Sequence, residues 1–210
     1  MDLAIRCACG ALHAVLRSVS PGSGGRVICY CDDCQSFAYF LERADSILDS
    51  HGGTEIFQTS PARLEITAGA GHLASLRLRP GSNAVRWYAS CCRTPIGNTP
   101  ASHRVPFVGL IHGCLDVEAT GLPRDAVLGP LRARVYRRFA RGDREKLRAP
   151  RGLPMLHILR LVRMVLAARL RGDRLRSPFF RPGGELSVAP LVLSADQLRA
   201  VETARDAAGA

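Results

Sequence analysis

The chain has 210 residues, 47% of them hydrophobic and 22% charged, which excludes an intrinsically disordered protein and predicts a substantial core. Its formal net charge of +11 comes almost wholly from arginine, because Lys146 is the only lysine. Residues 1–6 contain neither the basic segment nor the apolar stretch of a secretory signal peptide, so we expect a cytoplasmic location.

Residues 1–118 are predicted to form a zinc-containing antiparallel β domain. Short alternating segments are separated about every ten residues by Gly, Pro, Ser or Asn, a pattern typical of all-β units. The predicted strands, in chain order, are residues 3–6, 12–16, 54–58, 63–66, 74–78, 85–88 and 107–111. After the fifth of these, Pro80 and Gly81 favour a turn, because Pro fixes φ and Gly tolerates positive φ.

The second part of the chain, residues 119–210, is predicted to be a mainly helical, basic extension that packs on the β domain or on a partner. A first helix is predicted within residues 129–142. There Leu131, Val135 and Phe139 recur every four residues and would share one helix face.

Two further features of this extension follow in the sequence. Residues 144–151 are predicted to form a basic loop. A last helix is predicted to begin after Ser194, because the side chains of Ser194 and Gln197 match the spacing of a capping box.

A strongly apolar stretch, residues 153–170, is predicted to be helical and lies between the basic loop and the last helix. One histidine and three arginines interrupt it. Its length approaches that of a membrane span, but arginines near the centre of a span cost about 2.5–3.5 kcal/mol each, which disfavours insertion. Two alternatives remain open. The helix packs on the sheet or on a partner subunit, or residues 153–181 lie on an anionic membrane surface with Phe179 and Phe180 as apolar anchors.

The eight cysteines point to metal binding. Thiols stay reduced in a cytoplasmic protein, so metal or redox chemistry is favoured over a disulfide framework. Seven of the eight lie before residue 93 in three tight groups, and these groups are Cys7 with Cys9, then Cys29, Cys31 and Cys34, then Cys91 with Cys92. Cysteines two or three positions apart can direct both sulfurs at one ion with little loss of loop entropy. Because zinc prefers thiolate ligands, we predict one or two zinc ions per chain.

The segment with Cys29, Cys31 and Cys34 supplies three thiolates and leaves a fourth coordination position. In an open site that position takes water or a thiol such as glutathione, whose pKa zinc would lower. Alternatively Cys91 or Cys92 closes the site and makes it structural. A chain without metal is the third alternative.

The order of these motifs resembles the glutathione-dependent formaldehyde-activating enzyme family, also called the GFA or CENP-V-type domain. The resemblance covers about residues 4–118. It rests on C-x-C-G at residues 7–10, C-x-C-x-x-C at 29–34, WYASCCRTPI at 87–96 and GCLD at 113–116.

That resemblance implies an Mss4-like, zinc-containing β fold. It further implies that Cys29, Cys31 and Cys34 hold a catalytic zinc that receives glutathione. The structural zinc of the family would fall to Cys7, Cys9 and Cys92.

The third motif departs from the family pattern. Ala89 stands where the family has the first cysteine of its last pair, Arg93 replaces a glycine, and Cys91 lies directly beside Cys92. Adjacent cysteines on a strand point to opposite faces, so both could reach one metal only in a sharp turn. The structural site would then use Cys91 in a shifted geometry, recruit another ligand or be lost.

Two functions are therefore expected as alternatives. One is a zinc-dependent carbon–sulfur lyase or adduct-forming protein that acts on a conjugate of a thiol and an aldehyde. The other is a non-catalytic, zinc-stabilised binding or assembly module, through homo-oligomer or membrane-surface contact. Nucleic-acid binding ranks last, because no aromatic residues interleave with the arginines.

Overall fold

The computed structural model describes residues 1–144, 147–148 and 153–208. In these ranges the chain is mainly β, with helices towards its C-terminal end, as predicted. The strands are β1 (Leu3–Arg6), β2 (His13–Leu16), β3 (Gly25–Cys29), β4 (Thr54–Thr59), β5 (Leu64–Ala68), β6 (Leu73–Arg77), β7 (Ala84–Ala89), β8 (Thr94–Pro100), β9 (Val108–Ile111), β10 (Leu131–Val135) and β11 (Leu191–Val192). The α-helices are α1 (Asp32–Phe40), α2 (Ala44–Ile47), α3 (Arg124–Leu128), α4 (Met155–Leu170) and α5 (Ala195–Ala207).

The strands form two sheets. The smaller sheet has the order β1-β2-β5 and is antiparallel throughout. The larger sheet has eight strands in the order β10-β3-β4-β9-β8-β7-β6-β11. Its six inner strands pair antiparallel, whereas β10 and β11 pair parallel to β3 and β6 at the two edges. Both edge strands come from the part of the chain after residue 118, so that part completes the sheet.

The main core lies around Trp87 of β7. The Trp87 side chain is fully buried, its indole N–H donates to Thr99 Oγ1 at 2.9 Å, and its ring lies 4.8 Å from that of Phe179. Strand β1 contributes Leu3 and Ile5 because alternate residues of a strand share one face. Phe179 is fully buried in this core. The expectation that it serves as an apolar anchor on a membrane is therefore wrong.

The α-helix predicted within residues 129–142 is wrong: a strand takes its first half, and a three-residue 3₁₀ turn, Arg137–Phe139, follows. Residues 131–135 form β10, where Arg132 and Arg134 are exposed and Val135 is buried, so the period of two prevails over the period of four. The open edge of β3 satisfies its backbone groups by pairing with this segment. Tyr136 then adopts a left-handed conformation, with φ 61°, which ends the strand.

Most other predicted elements are confirmed with small shifts in their ends. All seven predicted strands occur, as β1, β2, β4, β5, β6, β7 and β9. Helices α4 and α5 occur as well, and both halves of the capping box at Ser194 are present. Strands β3, β8 and β11 were not predicted, and neither were α1, α2 and α3. The basic loop predicted for residues 144–151 lies largely outside the described residues.

The proposed division at residue 118 stays a prediction. No helix in the described part of the chain is long and apolar enough to cross a membrane. On α4 only His157 and Ala168 are buried. Its exposed apolar side chains are Met155, Leu156, Leu159, Val162, Leu166 and Leu170.

Candidate metal centres

The fold brings seven cysteines into two groups that could each hold a metal ion. Within the described residues these are the quartet of Cys7, Cys9, Cys91 and Cys92, and the trio of Cys29, Cys31 and Cys34. In each group the sulfur atoms all lie within 4.8 Å of one another.

The quartet has the spacing of a tetrahedral thiolate site. The Sγ–Sγ distances are 3.6 Å for Cys7–Cys9, 3.7 Å for Cys7–Cys91, 3.4 Å for Cys9–Cys91 and 3.9 Å for Cys91–Cys92. Four sulfurs about 2.3 Å from one zinc ion would lie about 3.8 Å apart. The donor set and the spacing therefore fit such an ion.

Two hairpin turns supply these four ligands. The first joins β1 to β2, where Gly10 has a φ of +74° and its N–H donates to the carbonyl of Cys7. The Leu12 N–H also donates to Cys7 Sγ at 3.2 Å. The second turn, residues 90–93, joins β7 to β8.

The second turn explains how adjacent cysteines reach one centre. Cys91 and Cys92 lie in the turn itself and not on a strand, so the alternation of a strand does not separate their side chains. Arg93 has a φ of 57°, a left-handed conformation that glycine adopts more readily. The loss of the expected cysteine at Ala89 is thus compensated by Cys91, and the Arg93 side chain forms an ion pair with Glu42.

Thr94 links the two turns of the quartet. Its hydroxyl accepts a hydrogen bond from the Ala8 N–H at 2.9 Å and lies 3.1 Å from Cys92 Sγ. Burial raises the pKa of Cys92, but hydrogen bonds from Thr94 and Cys9 outweigh it and bring this pKa to about 6. Burial and hydrogen bonds with the other three thiols raise the pKa of Cys91 to about 12.

The trio is more deeply placed. Cys29 ends β3, and Cys31 and Cys34 lie before and within the first turn of α1, so a strand end meets a helix start. Cys29 Sγ lies 3.3 Å from Cys31 Sγ, and Cys29 and Cys34 are each only 7% exposed. Val27, Ile56 and Val135 pack around them.

One thiolate is favoured in the trio. Hydrogen bonds from the thiols of Cys29 and Cys31, together with Arg86, hold the pKa of Cys34 well below its ordinary value. Hydrogen bonds with the other two cysteines, and then burial, raise the pKa of Cys29 well above its ordinary value. The positive end of the α1 dipole also favours negative charge at this position.

Arg86 is the charged residue that faces the trio. It is only 4% exposed, and its guanidinium lies 4.0 Å from Cys34 Sγ, 3.1 Å from Asn98 Oδ1 and 5.4 Å from the centre of the Phe37 ring. Asp33 Oδ2 lies 3.7 Å from the same guanidinium, and Asp33 Oδ1 accepts from Arg79. Asp33 therefore helps to orient the cation beside the trio.

One protein family matches most of the chain. The model of a family of unknown function, DUF6151, matches residues 2–190. The chain belongs to the DUF6151 family.

Other comparisons add little to this DUF6151 member. No curated protein matches the sequence. A structural genomics crystal structure of a Rhodobacter sphaeroides protein is similar over 58% of this chain and 96% of its own, with 16% identity and a TM-score of 0.36, too low to carry an argument.

The two groups account for seven of the eight cysteines among the described residues. Cys91 and Cys92 join Cys7 and Cys9, so the alternative in which either of them completes the trio is not the arrangement of this DUF6151 chain. The eighth cysteine, Cys114, is buried alone, and burial raises its pKa to about 12. His103 and His112 belong to neither group among the described residues.

Sequence reasoning missed Arg86 and Thr94 as residues of these sites. Thr94 was visible only as part of a Thr-Pro motif. Arg86 stands between apolar residues in a strand whose two faces are both buried, and no signal in the sequence says which group it meets.

Proposed function

We propose that this protein binds two zinc ions, one in each cysteine group, and that the trio is the reactive site of a GFA-like protein with an Mss4-like β fold. The observation that carries the proposal is the difference between the groups. The quartet offers the four ligands of a closed site, whereas the trio offers three within the described residues.

The trio would hold its ion with Cys29, Cys31 and Cys34. Three thiolates on a divalent cation leave one net negative charge, and Arg86 offsets that charge from a buried position. When bound, zinc would lower the pKa of an incoming thiol and hold it as a thiolate.

The proposed substrate is a conjugate of an anionic thiol, such as glutathione, with an aldehyde. In adduct formation the thiol sulfur bonds to the aldehyde carbon and the carbonyl oxygen takes the proton; a carbon–sulfur lyase reverses this. A cavity of about 350 Å³ beside α1 supports the choice of an anionic thiol. Asp32 and Gln35, the neighbours of Cys31 and Cys34 in the chain, line it, and its arginines outnumber its carboxylates by four to two. The charged lining residues are Arg138, Arg141, Arg144, Arg205, Asp32 and Asp206.

A second candidate is a non-catalytic, zinc-stabilised assembly module. It is favoured by the burial of Cys29 and Cys34, each 7% exposed, and by the absence of all three trio cysteines from the walls of the described cavities. In this function both ions would be structural, and the exposed apolar face of α4 would contact a second copy of the chain or a membrane surface.

Cobalt substitution separates these two functions. Cobalt replaces zinc in thiolate sites and reports the ligands through its visible absorption. We expect glutathione to change the absorption of the cobalt in the trio and to leave that of the quartet unchanged. Binding should persist in Cys9→Ser, which damages only the quartet, and be lost in Cys29→Ser.

Cys114→Ser is the matched control, because Cys114 lies in neither group. A spectrum that glutathione leaves unchanged in the wild type would refute the reactive site and favour the assembly module. Circular dichroism of Cys29→Ser distinguishes the loss of a metal ligand from the loss of the fold, because only the latter changes the spectrum.

A further inference from the structure

A second cavity, which shares no lining residue with the cysteine groups, is lined by cations. It has a volume of about 420 Å³ and lies between the loop that precedes β3 and one side of α4. We call it the arginine cavity, after Arg63, Arg132, Arg160, Arg163 and Arg171, which line it. Its volume is within the usual range of small-ligand pockets, about 300–1,000 Å³.

The charges of this cavity are not balanced by its own walls. Within the described ranges, no aspartate or glutamate is among the lining residues. Arg171 pairs with Asp173 just outside the cavity, whereas the partners of Arg63 and Arg132 in the described part of the chain are backbone carbonyls. Like charges around one concave, partly desolvated space repel one another and attract an anion.

The two arginines of α4 are the best placed to bind such an anion. Arg160 and Arg163 make no ion pair or hydrogen bond with any residue in the described ranges, so their guanidinium groups keep all their donors. Guanidinium forks match the paired oxygens of phosphate. Arg169, on the same helix, does not line the cavity and donates instead to the carbonyl of Arg104.

His157 gives an independent indication of a ligand. Its side chain lines the cavity and is only 4% exposed, yet neither ring nitrogen has a hydrogen-bond partner in the described structure. Burial of two polar nitrogens without partners lowers stability. Because a neutral imidazole has one donor and one acceptor nitrogen, the best-matched ligand offers both an anionic oxygen and a hydroxyl group.

The loop opposite α4 lets the ligand approach the backbone. It has the sequence Gly22-Ser23-Gly24-Gly25, and all four residues line the cavity. A Cβ on Gly24 would lie 2.5 Å from the carbonyl oxygen of Gln58, so only glycine fits there. Without side chains on the three glycines, backbone groups can reach a phosphate oxygen directly.

We propose that the arginine cavity is a binding site for a phosphate ester that carries a neighbouring hydroxyl group. Arg160 and Arg163 bind the phosphate oxygens, and His157 bonds to the ester and its hydroxyl. This chemistry occurs in soluble sugar or polyol phosphates and in the headgroups of anionic phospholipids. The site is separate from the proposed chemistry at the trio.

Calorimetric titration of the full-length protein with glycerol 3-phosphate tests the soluble source. Sedimentation with vesicles of phosphatidylglycerol in phosphatidylcholine tests the lipid source. We expect binding in at least one arm, weakened about tenfold by Arg160→Ala or Arg163→Ala, as for loss of one charge-assisted hydrogen bond. Arg169→Ala is the matched control, because it removes the same charge from the same helix outside the cavity.

His157→Leu distinguishes a ligand contact from a structural role. It removes the two unpartnered nitrogens, so it should raise the melting temperature of the ligand-free protein while it weakens binding. The proposal is overturned if neither probe binds, if Arg169→Ala weakens binding as much as Arg160→Ala, or if Arg160→Ala and Arg163→Ala leave the binding of every probe unaffected.

Discussion

The Thr94 hydroxyl is predicted to stabilise the quartet through two bonds, and Thr94→Val removes both while it keeps the shape of the side chain. Thr94 itself is only 5% exposed. The variant leaves the Ala8 N–H without its acceptor at 2.9 Å and Cys92 Sγ without its neighbour at 3.1 Å.

The two losses have different magnitudes. A donor left without a partner costs about 1–3 kcal/mol when it is buried. Because Ala8 is exposed and water can replace part of its bond, we expect the lower end, about 1 kcal/mol, for the metal-free protein. Loss of a group that supports a metal ligand lowers metal affinity about 10–100-fold, and we expect this at the quartet only.

The pH dependence gives the sign of the effect on Cys92. Its pKa of about 6 in the folded protein is below the ordinary value of 9.0, so this thiolate stabilises the fold fully above the ordinary value and loses that effect as pH falls through about 6. Thr94→Val raises the folded pKa. The difference in unfolding free energy between wild type and variant should therefore widen from pH 6 to pH 9.

Urea unfolding of the metal-free proteins and zinc competition with a chromophoric chelator measure these effects. Thr94→Ser keeps the hydroxyl and is the control. The reasoning is refuted if Thr94→Val matches Thr94→Ser in both assays, or if it weakens the trio as much as the quartet.

Four further predictions follow from single contacts. Arg86→Met should weaken metal binding at the trio about 10–100-fold and leave the quartet unchanged in the same competition assay, because the buried charge beside Cys34 is lost; equal effects at both sites would contradict it. Arg93→Gly should have a free energy of unfolding about 1 kcal/mol higher than that of Arg93→Ala, because both variants lose the ion pair with Glu42 and only glycine relieves the left-handed φ. A glycine variant that unfolds at lower urea than the alanine variant would contradict this. Asp173→Asn should lower the free energy of unfolding by about 1–2 kcal/mol, because the carboxylate, which is 5% exposed, loses charge-assisted bonds to Arg171 and Arg176. The loss is moderate because both arginines are more than half exposed, and an unchanged urea midpoint would contradict the prediction. In metal-free protein at pH 8, mass spectrometry should find iodoacetamide on Cys92 first, because this partly exposed thiol has a pKa of about 6, and on Cys114 only after unfolding, because burial excludes the reagent and raises the Cys114 pKa to about 12; early labelling of Cys114 would show that the core opens there.

The sequence was sufficient where a local pattern determines the structure. Alternating residues predicted seven strands, and the Ser194 capping box predicted α5, because both depend on neighbours within a few residues. Residues 131–135 were misread because Leu131 and Val135 fit both a period of two and a period of four, and the unpaired edge of β3 decided between them. Strand β8 was missed because Pro95 and Pro100 disfavour a strand.

The metal sites divide in the same way. The trio could be predicted because its three cysteines lie within six residues of one another. That Cys91 and Cys92 both join Cys7 and Cys9 depends on the turn at residues 90–93 and on Arg93 in a left-handed conformation, and the sequence left this arrangement as one of several alternatives. Arg86 reaches Cys34 across the sheet, over 52 positions, and such a contact has no local signature.

The metal content of the purified full-length protein tests the central claim most directly. Elemental analysis, with native mass spectrometry to count ions per chain, should find two zinc ions in the wild type and one in both Cys9→Ser and Cys29→Ser. A wild-type protein that holds no metal, or a single ion that both variants lose together, would contradict the two separate centres.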